Sequence, residues 1–580
     1  MAEKTERENR KQVIRFILGL LRPAWRPILL LLFLIGVGAV LNNMTPFLYG
    51  QMLDRIGSGE LSFLTSLILG YFFLTVGANV FSLWEGRQGK LLSFRMARAI
   101  QRRMFDAILR MKLSQSSQYE TGELMSRLNG DADEVVSFSL NFVTGIFNTV
   151  ITLVVSLIFV LRISLLLSTS AIFYIPCTFC LTFFARKHYK KLAELRKTFR
   201  DEFMIFQNES FDHIIGIKSF QAEGRTNEKY GGLIQRELDL TKRSIRLENI
   251  VGFSGSMITL VAALYVIYLS AVLISQGLLT IGLMVSFNYY SNRLFGAISS
   301  IWGLNIGVQS ISVSIERIQS ILEAECEDDA RNSTALLSPE ITHRVQVTGL
   351  RYAYSDDLPV LNGVNLRVDC PGLYGIVGRN GCGKSTLAKL LIKLYDPDEG
   401  IISLGHENYP NLSVESIRRR ITFVQKEDYF MAASIAENLR LGNQSAGDEE
   451  LRDVCDRVGI ASFIETLENG YQTEIGGGGS TLSSGQRQKL SVARALLRES
   501  EVYVFDEVTA NLDGQSERKV METLQDLARR SVVFFISHRV ASLDYCDMVY
   551  LMDSGKVIDE GTHLELLGRN PLYRELFAGG

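Results

Sequence analysis

The sequence predicts two fold classes joined in one chain: an α-helical membrane domain over residues 1–320 and a soluble α/β domain over residues 343–580. Three observations predict it. Nearly all the long apolar runs fall in the first 320 residues, and six of them reach the roughly twenty residues that cross a bilayer. An acidic, irregular stretch at 321–342 holds Glu323, Glu325, Glu327, Asp328 and Asp329, then Ser333, Thr334, Ser338 and Pro339, and reads as a linker. After it, the strand pattern Arg344-Val345-Gln346-Val347 opens an ordinary soluble domain. A chain of 580 residues exceeds what a single core usually holds.

Charge and cysteine content narrow the function classes. Net charge is -2 at pH 7, so no global attraction to polyanions exists and nucleic acid is not expected as a partner. The seven cysteines are scattered, and Cys177-x-x-Cys180 sits inside a membrane-length apolar run, where small packing residues are expected rather than redox or metal chemistry. The rest are consistent with a reduced cytosolic domain. Met1 to Arg15 alternates Glu with Lys and Arg and leads into no short apolar core with a cleavage site, so it is not a secretory signal.

The six expected spans are 28–48, 63–83, 142–161, 165–184, 250–274 and 281–301. The third and fourth are separated only by a few residues around Arg162, which requires a tight hairpin. The connections after the second and fourth are long, helical in pattern and basic. Arg87, Lys90, Arg95, Arg98, Arg102, Arg103, Arg110 and Lys112 follow the second span; Arg186, Lys187, Lys190, Lys191, Arg196, Lys197 and Arg200 follow the fourth. By the positive-inside rule both connections, and both termini, face the cytoplasm. Most of these cations serve solvated helix faces near lipid headgroups, yet helices this long carry their turns tens of ångströms beyond the membrane. Those turns are expected near Ser117 to Gly122 and Phe211 to Gly216.

Polar side chains inside the spans are costly without a partner or a wet cavity. Asn288, Asn292 and Ser299 share a face of the sixth span, with Arg293 on its flank; they form a candidate translocation cavity. Asn42, Asn43, Asn79, Asn141 and Asn148 add amides from other spans. Hydrogen-bonded cross-links between helices are the bland alternative, and for Arg293 snorkelling or an intramembrane partner.

In the second half, Gly378-Arg379-Asn380-Gly381-Cys382-Gly383-Lys384-Ser385 fits the G-x-x-x-x-G-K-[ST] loop, with Thr386 next to it. Its glycines let backbone N–H groups approach the α- and β-phosphates, Lys384 reaches the β- and γ-phosphates, and Ser385 can ligate Mg²⁺. The loop follows the apolar strand pattern Leu373 to Val377 and opens a helix, the context such a loop requires. Val502 to Phe505 reads as a buried strand with Asp506 and Glu507 at its end. There Asp506 would hold Mg²⁺ through water and Glu507 would polarise the attacking water. A carboxylate pair of this kind is otherwise a helix cap.

Between loop and carboxylates lies Leu482-Ser483-Ser484-Gly485-Gln486-Arg487-Gln488, a Ser/Gly turn opening a helix. Together these segments resemble the ATPase of ATP-binding-cassette (ABC) transporters, and with six fused spans the chain resembles an ABC exporter half-transporter over almost its whole length. The resemblance implies an α-helical six-span membrane domain plus an α/β P-loop NTPase domain, an ABC ATPase with a β subdomain and a helical signature subdomain. It implies ATP and Mg²⁺ as cofactors. Tyr354 matches the aromatic that stacks on adenine, Gln425 the loop residue that contacts Mg²⁺ and the membrane domain, and His538 the histidine that contacts the γ-phosphate and positions Glu507. Asp513 matches a loop contacting the opposite subunit. Asp553 to His563 resembles the closing strand pair, and the two cytoplasmic turns resemble coupling loops that dock on ATPase domains.

Further implications concern the assembly. Ser483, Ser484, Gly485 and Gln486 would contact ATP held by a second subunit, so a dimer is required, and hydrolysis would drive alternating access without a covalent intermediate. The expected function is export of an amphipathic peptide, lipid or drug-like cargo from an integral, multi-pass position in a bacterial plasma membrane, with the ATPase domain cytoplasmic. An importer of, for example, a metal chelate on the same fold is the alternative. An ATP-gated channel is a third reading, against which Glu507 and His538 argue. No peptidase-like Cys/His domain precedes the first span, so leader-peptide cleavage is not expected. Ser484 replaces the family's usual glycine, Gly477 a common Glu, Val508 a usual Pro and Ala510 a usual Ser. Homodimer and heterodimer therefore both remain open.

Overall fold

The computed structural model describes residues 13–59, 63–327, 343–354, 359–426, 428–479 and 481–577. The acidic linker residues from Asp328 on lie outside them, as do the first twelve residues and the side chains of Arg186, Lys187, Lys190, Lys197 and Ser299. Two units emerge: Met1–Phe105 with Thr121–Leu322, and Asp106–Glu120 with Glu323–Gly580.

The first unit is built on long helices: α1 (Trp25–Gly57), α2 (Leu64–Arg110), α3 (Ala132–Ile163), α4 (Ser170–Asp212), α5 (Glu223–Ser275) and α6 (Ile281–Leu322). Each carries one expected apolar run, except that Phe63 precedes α2 and the first five residues of the fourth run, 165–169, form the hairpin turn rather than helix α4. Among the described residues five helical stretches are long and apolar enough to cross a membrane. The sixth run falls in α6, where the side chains of 301–310 lie outside the described residues. α5 has 53 residues, so at 1.5 Å each it is about 80 Å long, more than twice the ~30 Å hydrocarbon layer. The α3–α4 hairpin turns through Ser164 and the 3₁₀ turn Leu167–Thr169. The α2–α3 connection turns through Leu113–Ser116, Thr121–Ser126 and a π turn at Arg127–Asp131. The α4–α5 connection turns through Ile214–Ser219 and leaves Phe211, Ile214, Ile215 and Phe220 exposed.

A polar seam joins α1 to α6. Pro46 lies inside α1 and lacks the N–H that would bond the Asn42 carbonyl; the Thr45 hydroxyl donates to that carbonyl instead, at 2.8 Å. Along the seam Asp54 accepts from Thr280 Oγ1 and from the Gly282 N–H, both at 2.7 Å. Ser286 donates to the Pro46 carbonyl at 3.1 Å, and the Tyr290 hydroxyl to the Asn43 carbonyl at 2.6 Å. The helices approach so closely that a Cβ on Gly50 would lie 2.1 Å from Ser286 Oγ, and one on Gly282 1.9 Å from the Gly50 carbonyl. In lipid, where burial of apolar surface drives little, small residues and hydrogen bonds of this kind hold helices together.

The second unit contains two large sheets and a two-stranded pair of Ala433–Ser434 with Glu474–Ile475. An antiparallel sheet pairs β1 (Val345–Ala353) with β2 (Pro359–Val368) on one side and β4 (Glu399–Leu404) on the other; Glu407–Asn408 extends its edge. The other sheet has the order β9-β8-β3-β7-β6-β5, with β3 at Gly372–Gly378, β5 at Ile421–Val424, β6 at Val502–Asp506, β7 at Val532–Ile536, β8 at Met548–Asp553 and β9 at Lys556–Gly561. Only the β8–β9 pair is antiparallel. Its central strands read as unbroken apolar runs because both faces are covered: every residue of β3, β6 and β7 is buried. One face packs on residues such as Leu490, Val520 and Leu524, the other on Leu387, Leu391 and Val364. The first connecting turn, between α2 and α3, belongs to this unit. Its Lys112 N–H donates to the Glu325 carbonyl at 3.0 Å, and the Glu327 N–H to Arg110 at 2.8 Å. Glu327 is then gripped by both terminal nitrogens of Arg418 at 2.6 and 3.1 Å.

Candidate functional site

In parallel α/β sheets, ligands gather at the carboxyl ends of the strands. Here four adjacent parallel strands end together: the phosphate loop follows β3, His538 follows β7, Asp506 and Glu507 close β6, and Gln425 follows β5. The register pairs Ile536 of β7 with both Ile376 and Asp506. Backbone pairing of apolar strands thus assembles chemistry from four distant segments.

The loop's shape requires glycine. Gly378 has φ +154° and Gly383 φ +104°, and added Cβ atoms would lie 2.1 Å from the Met552 carbonyl and 2.5 Å from Leu361. Gly383 caps helix α7 (Lys384–Leu391), so the loop's N–H groups stand at a helix N-terminus, an anion site by geometry and dipole. Lys384 is buried, its Nζ donating to the Gly378 and Arg379 carbonyls at 2.9 Å each. Arg379 reaches out to Glu575 at 3.1 Å and Asn380 is exposed. The Cys382 thiol is buried, which pushes its pKa up.

Asp506 is buried beside Ser385; burial raises its carboxyl pKa against the opposing Ser385 hydrogen bond. Its Oδ1 has no hydrogen-bond partner among the described residues. A buried, unpartnered carboxylate oxygen next to a Ser hydroxyl fits a hard cation that retains several waters, as Mg²⁺ does. Glu507 sits in the left-handed region at φ +53°, a strained conformation typical of functional positions. One oxygen meets His538 Nε2 at 3.1 Å and the other Lys426 Nζ at 2.7 Å. The Lys426 hydrogen bond chiefly holds the Glu507 carboxyl below 4.5, against partial burial. Burial, then Lys384, holds His538 below 6.5, so its imidazole is neutral near pH 7.

The structure brings Lys426, rather than its neighbour Gln425, to Glu507; Gln425 is exposed. Tyr354 is half exposed, its hydroxyl 3.2 Å from Thr386 Oγ1 and its ring edge-on to Tyr352 and Tyr395. Asp513 caps helix α9 (Gly514–Ala528), accepting from Gln515 and Ser516 N–H groups at 3.1 and 3.0 Å.

The signature turn opens helix α8 (Ser484–Leu496). Ser483 and Gln486 form a reciprocal capping box at 3.3 and 2.8 Å. Ser483 and Ser484 are exposed, and among the described residues no hydrogen bond joins Ser483, Ser484 or Gly485 to the phosphate loop. The α8 helix is instead tied to the strand end at Glu507 by Gln488, which closes the quoted Ser/Gly segment but was given no role of its own. Buried Gln488 accepts from the Asn511 N–H at 3.1 Å and donates to the Glu507 carbonyl at 3.5 Å. Arg539, likewise given no role, donates to Leu512, Ala510 and Glu517 at 3.1, 2.9 and 2.6 Å, fastening the His538 segment to the loop after Glu507. No periodicity marks either residue. Gln488 lies within the quoted turn segment and Arg539 directly follows His538, which was the available signal.

In the first unit, Arg293 donates to Asn43 Oδ1 at 2.8 Å and Asn42 Oδ1 at 3.2 Å, while Asn292 donates to Asn288 at 3.2 Å. An apolar cleft of about 490 Å³ lies between α4 and α5, lined by Phe173, Tyr174, Cys177, Val261 and Tyr265 among others.

A unit of membrane-length helices fused to a sheet whose strand ends carry a phosphate-loop sequence and a carboxylate paired with a histidine is the architecture of an ATP-driven membrane transporter. The description "ABC transporter transmembrane region" matches residues 28–298 and "ABC transporter" residues 361–510. The chain belongs to the ABC transporter family, as an exporter-type half-transporter, an integral membrane protein that binds ATP and couples its hydrolysis to transport. It is 28% identical over 549 residues to a protein named as an export ATP-binding/permease protein of Rickettsia bellii, covering 94% of this chain and 93% of the relative. It is 26% identical to a multidrug resistance ABC transporter ATP-binding and permease protein of Lactococcus lactis, covering 94% and 92%. A lactococcin-G-processing and transport ATP-binding protein of the same species is 26% identical, over 93% of this chain and 76% of that one. In fold, the structure of a bacterial Atm1-family ABC exporter with ATP bound matches with TM-score 0.82 at 24% identity, covering 96% of this chain and 98% of that one.

Proposed function

We propose that this chain exports an amphipathic cargo across a bacterial plasma membrane as one half of a dimer, with its ATPase domain in the cytoplasm. The observation that carries the dimer is the signature turn. Its N-terminus satisfies its own helix and leaves Ser483 and Ser484 exposed beside Gly485, where the turn can complete the nucleotide site of a second subunit.

The roles follow from the geometry. The N–H groups of Gly381 to Lys384 and the Lys384 ammonium hold phosphate charge; Tyr354 offers a ring to adenine. Ser385 and Asp506 would hold Mg²⁺, with Gln425 as a further oxygen ligand, and the ion would neutralise phosphate charge. Glu507, ionised and aimed by His538, orients and polarises the attacking water. Asp513 and the loop before it lie beside Gln488 and Gly485 in the chain's own packing, and from there reach the partner. The named export and multidrug relatives support the outward direction, and the apolar α4–α5 cleft supports a cargo with an apolar part.

The intact Glu507–His538 pair favours a pump over an ATP-gated channel, because a gate does not need rapid hydrolysis. Homodimer and heterodimer are separated by purifying this chain alone. A two-copy assembly with vigorous Mg²⁺-dependent ATPase supports the homodimer. A chain that remains single or inactive until a different half-transporter is added rules it out, and points to Ser484 as part of an asymmetric site.

A further inference from the structure

We infer that Arg293, set by Asn42, Asn43 and Tyr289, is a binding site for an oxyanion carried by the cargo, a carboxylate or phosphate on an amphipathic molecule. The inference deepens the export reading above and rests on it.

Arg293 is the only charged residue in the six apolar runs. It lies eight residues before the end of the sixth run at Ile301, so the nearer end is about 12 Å along the helix, beyond the reach of a snorkelling side chain. A charge at that depth needs a partner or water. The partners present are all neutral: Asn43 Oδ1 at 2.8 Å, Asn42 Oδ1 at 3.2 Å and the Tyr289 hydroxyl at 3.4 Å, with the guanidinium 5.0 Å from the Tyr289 ring centre. Among the described residues Arg293 makes no ion pair.

The cation is also held in place. Asn43 is 1% exposed; its Nδ2 donates back to the Ala39 carbonyl at 2.7 Å, which fixes the direction of its Oδ1 toward Arg293. Its own carbonyl receives the Tyr290 hydroxyl at 2.6 Å. Asn43 is therefore a positioning residue. The guanidinium has more N–H donors than its three contacts use, and its planar fork matches a carboxylate or phosphate. Asn42, Tyr289 and Asn292 are exposed beside it in the single chain, a polar face that hydrocarbon does not tolerate and that must meet water, cargo or the second subunit. A preorganised cation without a protein counter-charge is complete when the transported molecule brings the negative charge.

The test uses the full-length protein in phosphatidylcholine proteoliposomes and a matched pair of probes, dansyl-aminododecanoate and its neutral primary amide. Half-maximal stimulation of ATPase is expected at about tenfold lower concentration for the carboxylate, the worth of a charge-assisted hydrogen bond. Arg293→Gln should bring the two probes together and Arg293→Lys should restore part of the gap. Equal response of wild-type protein to both probes, response to neither, or a preference that survives Arg293→Gln overturns the inference. The wild-type comparison decides even if Arg293→Gln does not fold. A second arm adds phosphatidylglycerol without probe: stimulation that depends on Arg293 assigns the oxyanion to a lipid headgroup, its absence to a free amphiphile. ATP-driven probe uptake into the same vesicles separates the two readings. Uptake without anion preference sinks only the oxyanion site, whereas no ATP-driven uptake of either probe sinks the export reading beneath it.

Discussion

Glu507 shares its two carboxylate oxygens between Lys426 and His538, and that division sets the acid–base behaviour of the site. Replacing the carboxylate by an amide of the same shape, Glu507→Gln, should retain ATP binding and lower turnover by about 10²–10⁴-fold, the usual worth of a general base; equilibrium ATP binding and steady-state ATPase on one sample check both halves. Lys426 is the main reason that the Glu507 carboxyl stays below 4.5, so Lys426→Met should move the acid limb of the ATPase pH profile upward. An unmoved limb would mean that the contact is incidental. The stability signs follow from the same shifts. Glu507, lowered in the folded state, stabilises above 4.5 and loses that contribution as pH falls through its folded value. His538, also lowered, makes the folded state take up fewer protons below 6.5, so it too weakens the fold as pH falls from 6.5. Glu507, His538 and the phosphate loop were legible because the resemblance matches them motif by motif. Lys426 was not, since its contact depends on how the chain turns after β5, which no local pattern encodes.

At the scale of elements, the α1–α6 seam carries the most specific prediction. The contact leaves no room for a side chain at Gly50, where a Cβ would lie 2.1 Å from Ser286 Oγ and 2.5 Å from the Gly282 carbonyl. Gly50→Leu should therefore destabilise the membrane unit by at least about 1–3 kcal/mol, the usual cost of overpacking. Gly70→Ala, with nothing within 4 Å of its Cβ, should leave it near wild type. Thermal unfolding in detergent compares the two. The apolar runs announced these helices by length, and their long extensions beyond the runs by basic helical patterns. The seam itself was hidden: it forms between residues more than two hundred positions apart, and single Gly, Ser, Thr and Asn residues in apolar runs give no sign of which helix they face. The central strands of the ATPase sheet were legible for the opposite reason, since burial on both faces writes them as continuous apolar runs.

For the whole molecule, the division into a membrane half and a nucleotide-binding half was readable from where the apolar runs stop. The first connecting turn, Asp106–Glu120, nevertheless groups with the ATPase unit, an exchange of chain between halves that composition does not reveal. The need for a second subunit was readable only through the signature turn. Its exposed, self-capped N-terminus is what that reading requires of a surface waiting for another subunit's nucleotide. Mixing wild-type chain with excess Lys384→Ala chain should lower ATPase more steeply than dilution alone if two copies of this chain work together, and in proportion to dilution if each works alone. The central claim, that ATP hydrolysis here drives cargo outward, is tested most directly by flux in inside-out membrane vesicles containing the wild-type chain or Glu507→Gln. ATP should drive accumulation of an amphipathic probe inside wild-type vesicles and not inside Glu507→Gln vesicles; ATP-driven loss of preloaded probe, or equal equilibration in both, would contradict it.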